Sequence, residues 1–174
     1  DDTLLVEFTT TTLSGGEATT SPAITLTVSG GVTVGATTVE VANAGTGSAT
    51  SGGTDYTFAT PVTINIPAGN YTIATTVSLT GLTVVDDAVV ESAETIDFVL
   101  QNPSGVTIGD ADGNATTENT HTYSITDNET VGVTVELSSA TASSTDESAG
   151  SAPNFPTLLV SGTLLSSSTV VIDT

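Results

Sequence analysis

The sequence predicts an all-β fold, an antiparallel sandwich of seven or so strands, on three observations. Apolar and polar residues alternate with a period of two along most of the chain, the pattern of strands with one buried and one solvated face. Clusters of Gly, Ser, Asn and Pro interrupt the alternation at short intervals, as turns require. No window carries apolar residues at helical spacing, while Thr, Val and Ile, which suit a pleated half-buried surface, are plentiful. The net charge of -20 would suggest a disordered acidic chain, but 37% of the 174 residues are hydrophobic and mean hydropathy is +0.23. That is enough to bury a core.

Each element follows in order. The first strand carries Val6 and runs into a Ser/Thr/Gly bend that contains Glu17; the next ends at Val28-Ser29-Gly30 in the turn VSGG. After the turn-rich stretch GTGSATSGGTD (45–55), VTINI (62–66) puts Val62, Ile64 and Ile66 on one face and Thr63 and Asn65 on the other. PAGN (67–70) closes it. ETIDFVLQN (94–102) turns Ile96, Phe98 and Leu100 one way and Thr95, Asp97 and Val99 the other, before the turn NPSG. GDADGN (109–114) reads as a long hairpin loop, and THTYSIT (120–126) aligns His121, Tyr123 and Ile125 on one face.

The opening pattern recurs. Val6 matches Val135, Glu17 matches Glu147, and Val28-Ser29-Gly30 matches Val160-Ser161-Gly162. Residues 1–130 are therefore expected to form one complete sandwich and 131–174 the first strands of a second, incomplete repeat. A third of a sandwich cannot bury its apolar strands alone. Completion is expected from further chain beyond residue 174 or from another molecule. Asp1-Asp2 is expected to finish the joint with a preceding unit.

Charge narrows the chemistry. There is no Lys and no Arg, so binding to nucleic acid phosphates or directly to an anionic membrane is not expected. The absence of Cys removes disulfides, thiolate-held zinc and thiol catalysis. Aromatics are only 4% with no Trp, too few for a sugar cleft flanked by carboxylates. The single histidine sits on an apolar strand face, where packing is its expected role. No catalysis is expected.

Against this background VVDDAVVESAE (84–94) gathers Asp86, Asp87, Glu91 and Glu94 within nine positions. Glu17, Asp55 and the TDNE stretch with Asp127 and Glu129 fall at bends and strand ends that can converge on one end of a sandwich. Carboxylates about 4 Å apart repel by roughly 1 kcal/mol in water and about 4 near a protein surface. With no cationic side chain available, a metal would offset this, and all-oxygen ligands on flexible loops favour Ca²⁺. The alternative is a solvated acidic surface. A second candidate metal loop is GDADGN, where Asp110, Asp112 and Asn114 imitate the start of an EF-hand, although Ala115 stands where that loop needs Gly.

GGTDYT, VTINIPAGN, VVDDAVVESAETIDFVLQNPSG and YSITDNE, in that order, resemble the Calx-beta repeat, found in sodium/calcium exchangers, integrin β4 and large bacterial surface proteins. The resemblance spans about residues 3–129. It implies a seven-stranded, Ig-like sandwich with calcium held at one end. Carried over position by position, it implies metal ligation by Glu17, Asp55, Asp86, Asp87, Glu91 and Asp127, with Glu94 shaping the loop. It also implies, together with the repeat, a calcium-stiffened module of an extracellular, cell-surface adhesin or filament. The expected partners are neighbouring repeats or subunits, and surface ligands. Two alternatives stand beside this: a filament subunit polymerised by strand donation, and, less favoured, a calcium-sensing regulatory module.

Overall fold

The computed structural model describes residues 3–129, 132–138 and 157–162. The chain divides into two compact units, Asp1–Ala88 with Ser92–Asn128, and Val89–Glu91 with Glu129–Thr174. No helix occurs among the described residues.

The first unit is a two-layered β-sandwich. One layer contains β1 (Leu5–Phe8), β3 (Thr25–Ser29), β9 (Thr75–Ser78) and β12 (Thr107–Ile108), in the order β12-β1-β3-β9. The other contains β2 (Thr12–Gly16), β5 (Thr37–Asn43), β7 (Val62–Ile66), β11 (Glu94–Ser104) and β13 (Thr120–Thr126), in the order β2-β13-β11-β5-β7. Two short ribbons pair β10 (Leu82–Val84) with β6 (Tyr56–Phe58), and β4 (Val32–Thr33) with β8 (Gly69–Asn70).

Alternation delivers the core. Val6, Phe8, Leu26 and Val28 from the first layer form one cluster with Val39, Val41, Ile96, Phe98, Tyr123 and Ile125 from the second. The strands over 62–66 and 120–126 have the expected bounds, and Ile64, Ile66, Ile96, Phe98, Leu100, His121, Tyr123 and Ile125 are all buried. His121 is a packed core residue. Its ring lies 5.3 Å from that of Phe8 and 6.5 Å from that of Phe98, its Nδ1 is 2.6 Å from the carbonyl oxygen of Thr10, and burial lowers its pKa.

Three expectations need correction. The two layers hold nine strands instead of seven, because the first strand is shared between them as β1 and β2, and because the short β12 was not foreseen. The sandwich is not purely antiparallel. After β1 pairs antiparallel with β3, the chain crosses at Thr9–Thr11 to the other layer, and β2 then runs parallel to β13; β12 runs parallel to β1. The GDADGN segment is not a hairpin loop, since it links β12 in one layer to β13 in the other.

The second unit contains an antiparallel ribbon, β14 (Thr134–Leu137) with β15 (Leu158–Ser161). Glu147, the expected counterpart of Glu17, lies outside the described residues.

Candidate metal centre

The ends of five elements bring acidic residues of the first unit to one end of the sandwich. β2 runs parallel to β13, so Glu17, which follows β2, and Asp127, which follows β13, leave the layer side by side; the Glu17 N–H donates to the Thr126 carbonyl at 3.1 Å. The β6–β10 ribbon does the same for the next pair. Val84 faces Tyr56, and the Val85 N–H donates to the Asp55 carbonyl at 2.9 Å, which puts Asp86 and Asp87 just beyond Asp55. Glu94 opens β11 opposite Ile125, the penultimate residue of β13.

The side chains make two close pairs. Glu17 and Asp86 bring carboxylate oxygens within 4.8 Å of each other, and so do Asp55 and Glu94. Two charges at that separation repel by about 1 kcal/mol in water and about 3–4 kcal/mol at the effective dielectric near a protein surface. Glu17 is only 5% exposed and Asp55 8%, so both lie toward the costlier end. Asp55 is partly satisfied, since its Oδ2 accepts from the Thr50 N–H. Asp86 Oδ1 accepts from Asn128 Nδ2 at 3.0 Å. Asp127 Oδ1, by contrast, is buried with no hydrogen-bond partner. A buried carboxylate oxygen left so is costly.

The expected ligands thus divide. Glu17, Asp55, Asp86 and Asp127 are carried by adjoining strand ends, with Asp87 exposed beside Asp86. Glu91 falls in the second unit. Glu94, to which the sequence assigned only loop geometry, stands among the candidate oxygens beside Asp55. The set is entirely oxygen, with several carboxylates and a buried oxygen that no protein donor reaches. These donors fit a hard divalent cation.

A second acidic group lies on the outer face of the β1–β3 layer, and sequence reading missed its centre. Glu7 is fully buried. Its Oε1 accepts from the Ala111 and Asp112 N–H groups, both at 2.7 Å, and Oε2 from the Glu118 N–H at 3.2 Å. Burial raises its pKa against the pull of these donors. Glu7, Asp112 and Glu118 each bring one carboxylate oxygen within 4.8 Å of the others. In the GDADGN segment the side-chain oxygens already serve the loop. Asp110 accepts from the N–H groups of Gly113, Asn114 and Ala115, Asn114 Oδ1 accepts from the Thr116 N–H, and both Asp112 oxygens accept from Asn114. The loop therefore closes on itself and on Glu7. β13, whose ends are about 20 Å apart at 3.3 Å per residue, separates this group from Asp127.

Fold and site together define an acidic-ended β-sandwich with a carboxylate-rich, oxygen-only pole. No protein-family model and no curated protein matches the sequence. Among solved structures, the chain is similar to the apo form of the Calx CBD1 domain, with a TM-score of 0.51 and 17% identity over 73% of this chain and 99% of that one. The CBD12 structure of a second Calx form matches at TM-score 0.49 and 20% identity, over 71% of this chain and 44% of that one. Another, described as the calcium binding domain CBD12, matches at 0.45 and 22%, over 70% and 44%. The likeness to CBD1 establishes a Calx-beta-type sandwich.

Proposed function

We propose that the first unit binds calcium at the pole formed by Glu17, Asp55, Asp86, Asp87 and Asp127, with Glu94 beside them, and that the bound ion stiffens a structural repeat of an extracellular adhesin or surface filament. The observation that carries the reading is the buried, unpartnered Asp127 oxygen beside Glu17 in a chain without Lys or Arg. Calcium would supply the missing positive charge and fix the strand ends relative to one another. The apolar-to-polar alternation, the recurring opening pattern and the shortage of aromatics support a mechanical role over catalysis.

Extracellular modules hold calcium with Kd of about 10⁻⁴ to 10⁻³ M. At about twentyfold excess over Kd, binding to the folded state alone stabilises it by about 1.8 kcal/mol per site. The test is thermal unfolding of the full chain in chelator, in millimolar calcium and in millimolar magnesium. Calcium is expected to raise Tm by several degrees more than magnesium does, and Asp127→Asn with Asp86→Asn to abolish the difference. Equal small shifts with both ions would leave the carboxylates a solvated surface and defeat the proposal.

A further inference from the structure

The chain has three tyrosines, all of them buried. Two of the hydroxyls serve the fold: that of Tyr56 accepts from Asn43 Nδ2, and that of Tyr71 donates to the Pro67 carbonyl at 2.8 Å. Tyr123 differs. It is 1% exposed, yet its hydroxyl has no hydrogen-bond partner. Burial raises its pKa, so it keeps its proton and stands as a donor. A buried donor left so is costly, and Phe would fill the core without that cost. Such an atom in a folded protein calls for a specific explanation.

The hydroxyl lies under the bend that presents Glu17. Tyr123 faces Leu13 across the β13–β2 pairing and Ile125 faces Gly15, but a Cβ at Gly15 would fall on the Tyr123 hydroxyl oxygen. The side chain therefore leans along β2 toward the acidic pole, into room that a glycine leaves. Thr19 Cβ and Oγ1 lie 3.4 Å from the same point. The bend is tied to two strand ends that carry candidate ligands. The Glu17 N–H donates to the Thr126 carbonyl at 3.1 Å, and the Thr126 hydroxyl to the Gly15 carbonyl at 3.2 Å, next to Asp127. The Val84 N–H donates to the Thr20 carbonyl at 3.0 Å, shortly before Asp86. Alternation continues the inward face of β13 from Tyr123 through Ile125 to Asp127, whose Oδ1 is likewise buried without a partner. Both atoms stand on the one face that leads to the pole.

We propose that Tyr123 is a positioning residue of the cation pole: its hydroxyl holds the Gly15–Thr19 bend in the arrangement in which Glu17 ligates an ion, and it contributes to ion binding and not to the fold. This deepens the calcium reading above and rests on it. Glu17 and Asp86 bring carboxylate oxygens within 4.8 Å of each other. An ion between them offsets their repulsion and draws them together. Gly15 and Thr19 move with Glu17, because each is two residues from it and the bend is closed by the Thr19 N–H donating to the Gly16 carbonyl at 2.8 Å. The acceptor that this movement offers the hydroxyl is Thr19 Oγ1. Tyr123 thus acts on the ion through the backbone that carries Glu17, as partners behind a ligand do at metal sites.

The test uses the full chain, with equilibrium dialysis against calcium for Kd and thermal unfolding in chelator for the fold by itself. Tyr123→Phe is expected to unfold in chelator at or above the wild-type Tm. It is expected to raise the calcium Kd about three- to tenfold, the range that one hydrogen bond supplies. Thr19→Val should raise Kd by a similar factor, with little further loss when the two are combined. Tyrosine labelled at Cζ gives a signal for each of the three residues, that of Tyr123 being assigned by its loss in Tyr123→Phe. This signal is expected to move on adding calcium, which a residue that merely fills the core has no reason to do. A Tyr123→Phe chain that loses Tm equally in chelator and in calcium with Kd unchanged would overturn the proposal, as would a Tyr123 signal that calcium leaves in place. Gly15→Ala tests the placement, since its Cβ meets the hydroxyl oxygen. It should lower Tm in wild type and much less in the Tyr123→Phe chain, and equal losses would also overturn the proposal. The two readings fail separately. A wild-type chain that binds no calcium defeats both, whereas calcium binding that is the same in wild type and in Tyr123→Phe defeats this one and leaves the site standing.

Discussion

Replacing Glu7 by Ala tests whether a buried carboxylate anchors the 109–119 loop to the sandwich. Glu7 is the acceptor for three backbone N–H groups, those of Ala111, Asp112 and Glu118. Each stranded buried donor costs about 1–3 kcal/mol. Deleting the side chain also removes the cost of burying the carboxylate itself, so the net loss is expected near 3 kcal/mol. For a unit of this size that lowers Tm by about 10 °C. Glu7→Gln keeps one oxygen for Ala111 and Asp112 and should cost about 1 kcal/mol. The two variants also differ from wild type in pH dependence. Burial raises the Glu7 pKa, whereas the Thr116 hydroxyl, and then Glu7, lower that of Glu118. A raised carboxyl contributes stability below its unfolded pKa and loses it as pH rises through the folded value. Wild type should therefore lose stability relative to Glu7→Gln as pH rises through that window. The assay is urea unfolding followed by circular dichroism across pH 4 to 8, with hydrogen exchange at the Ala111 and Asp112 amides. If Glu7→Ala unfolds within about 0.5 kcal/mol of wild type, or Gln is as damaging as Ala, the loop is held by something else and the reasoning fails.

Other outcomes follow from the core and its loops. Phe98 is fully buried and meets Phe58 edge-on at 5.2 Å, so Phe98→Ala should cost about 3–5 kcal/mol in urea unfolding. At Gly47 a Cβ would strike the Thr95 carbonyl, where the loop is pinned by the Ala49 N–H donating to that oxygen at 2.9 Å; Gly47→Ala should cost about 1–3 kcal/mol, and no loss would mean the loop is free to move off β11. The lowered pKa of His121, caused by burial and opposed by the Thr10 carbonyl, contributes stability above the unfolded pKa of about 6.5. That stability is lost as pH falls toward the folded value, by up to about 1.4 kcal/mol per pH unit, and His121→Gln should flatten that part of the acid-denaturation profile.

Much of the fold was readable because alternation is local. The stretches at 62–66, 94–102 and 120–126 state which side chains point inward, and those positions are buried, Val62 only partly, whatever the strands pair with. Only β11 runs longer than expected, to Ser104, through Asn102 at a positive φ of 47° and Pro103. The acidic pole was readable in part, since carboxylates at bends and strand ends mark themselves by type in a chain with nothing cationic. Glu94 was undervalued because its nearness to Asp55 depends on how the β6–β10 ribbon meets the start of β11. That is a relation between segments some 40 residues apart, and no local pattern encodes it.

The sequence by itself determined the class of fold, the inward faces and the sign of the charge problem, because period, composition and residue type are properties of neighbours along the chain. Tertiary structure alone decided the parallel pairings, the split of the first strand between two layers and the isolation of the Asp127 oxygen. It also decided the burial of Glu7. In the sequence Glu7 lies between Val6 and Phe8, and nothing beside it in the chain marks it for burial. A loop 104 residues away in sequence closes over it with two N–H groups at 2.7 Å, and desolvation by a distant segment has no signature in the residues that it covers.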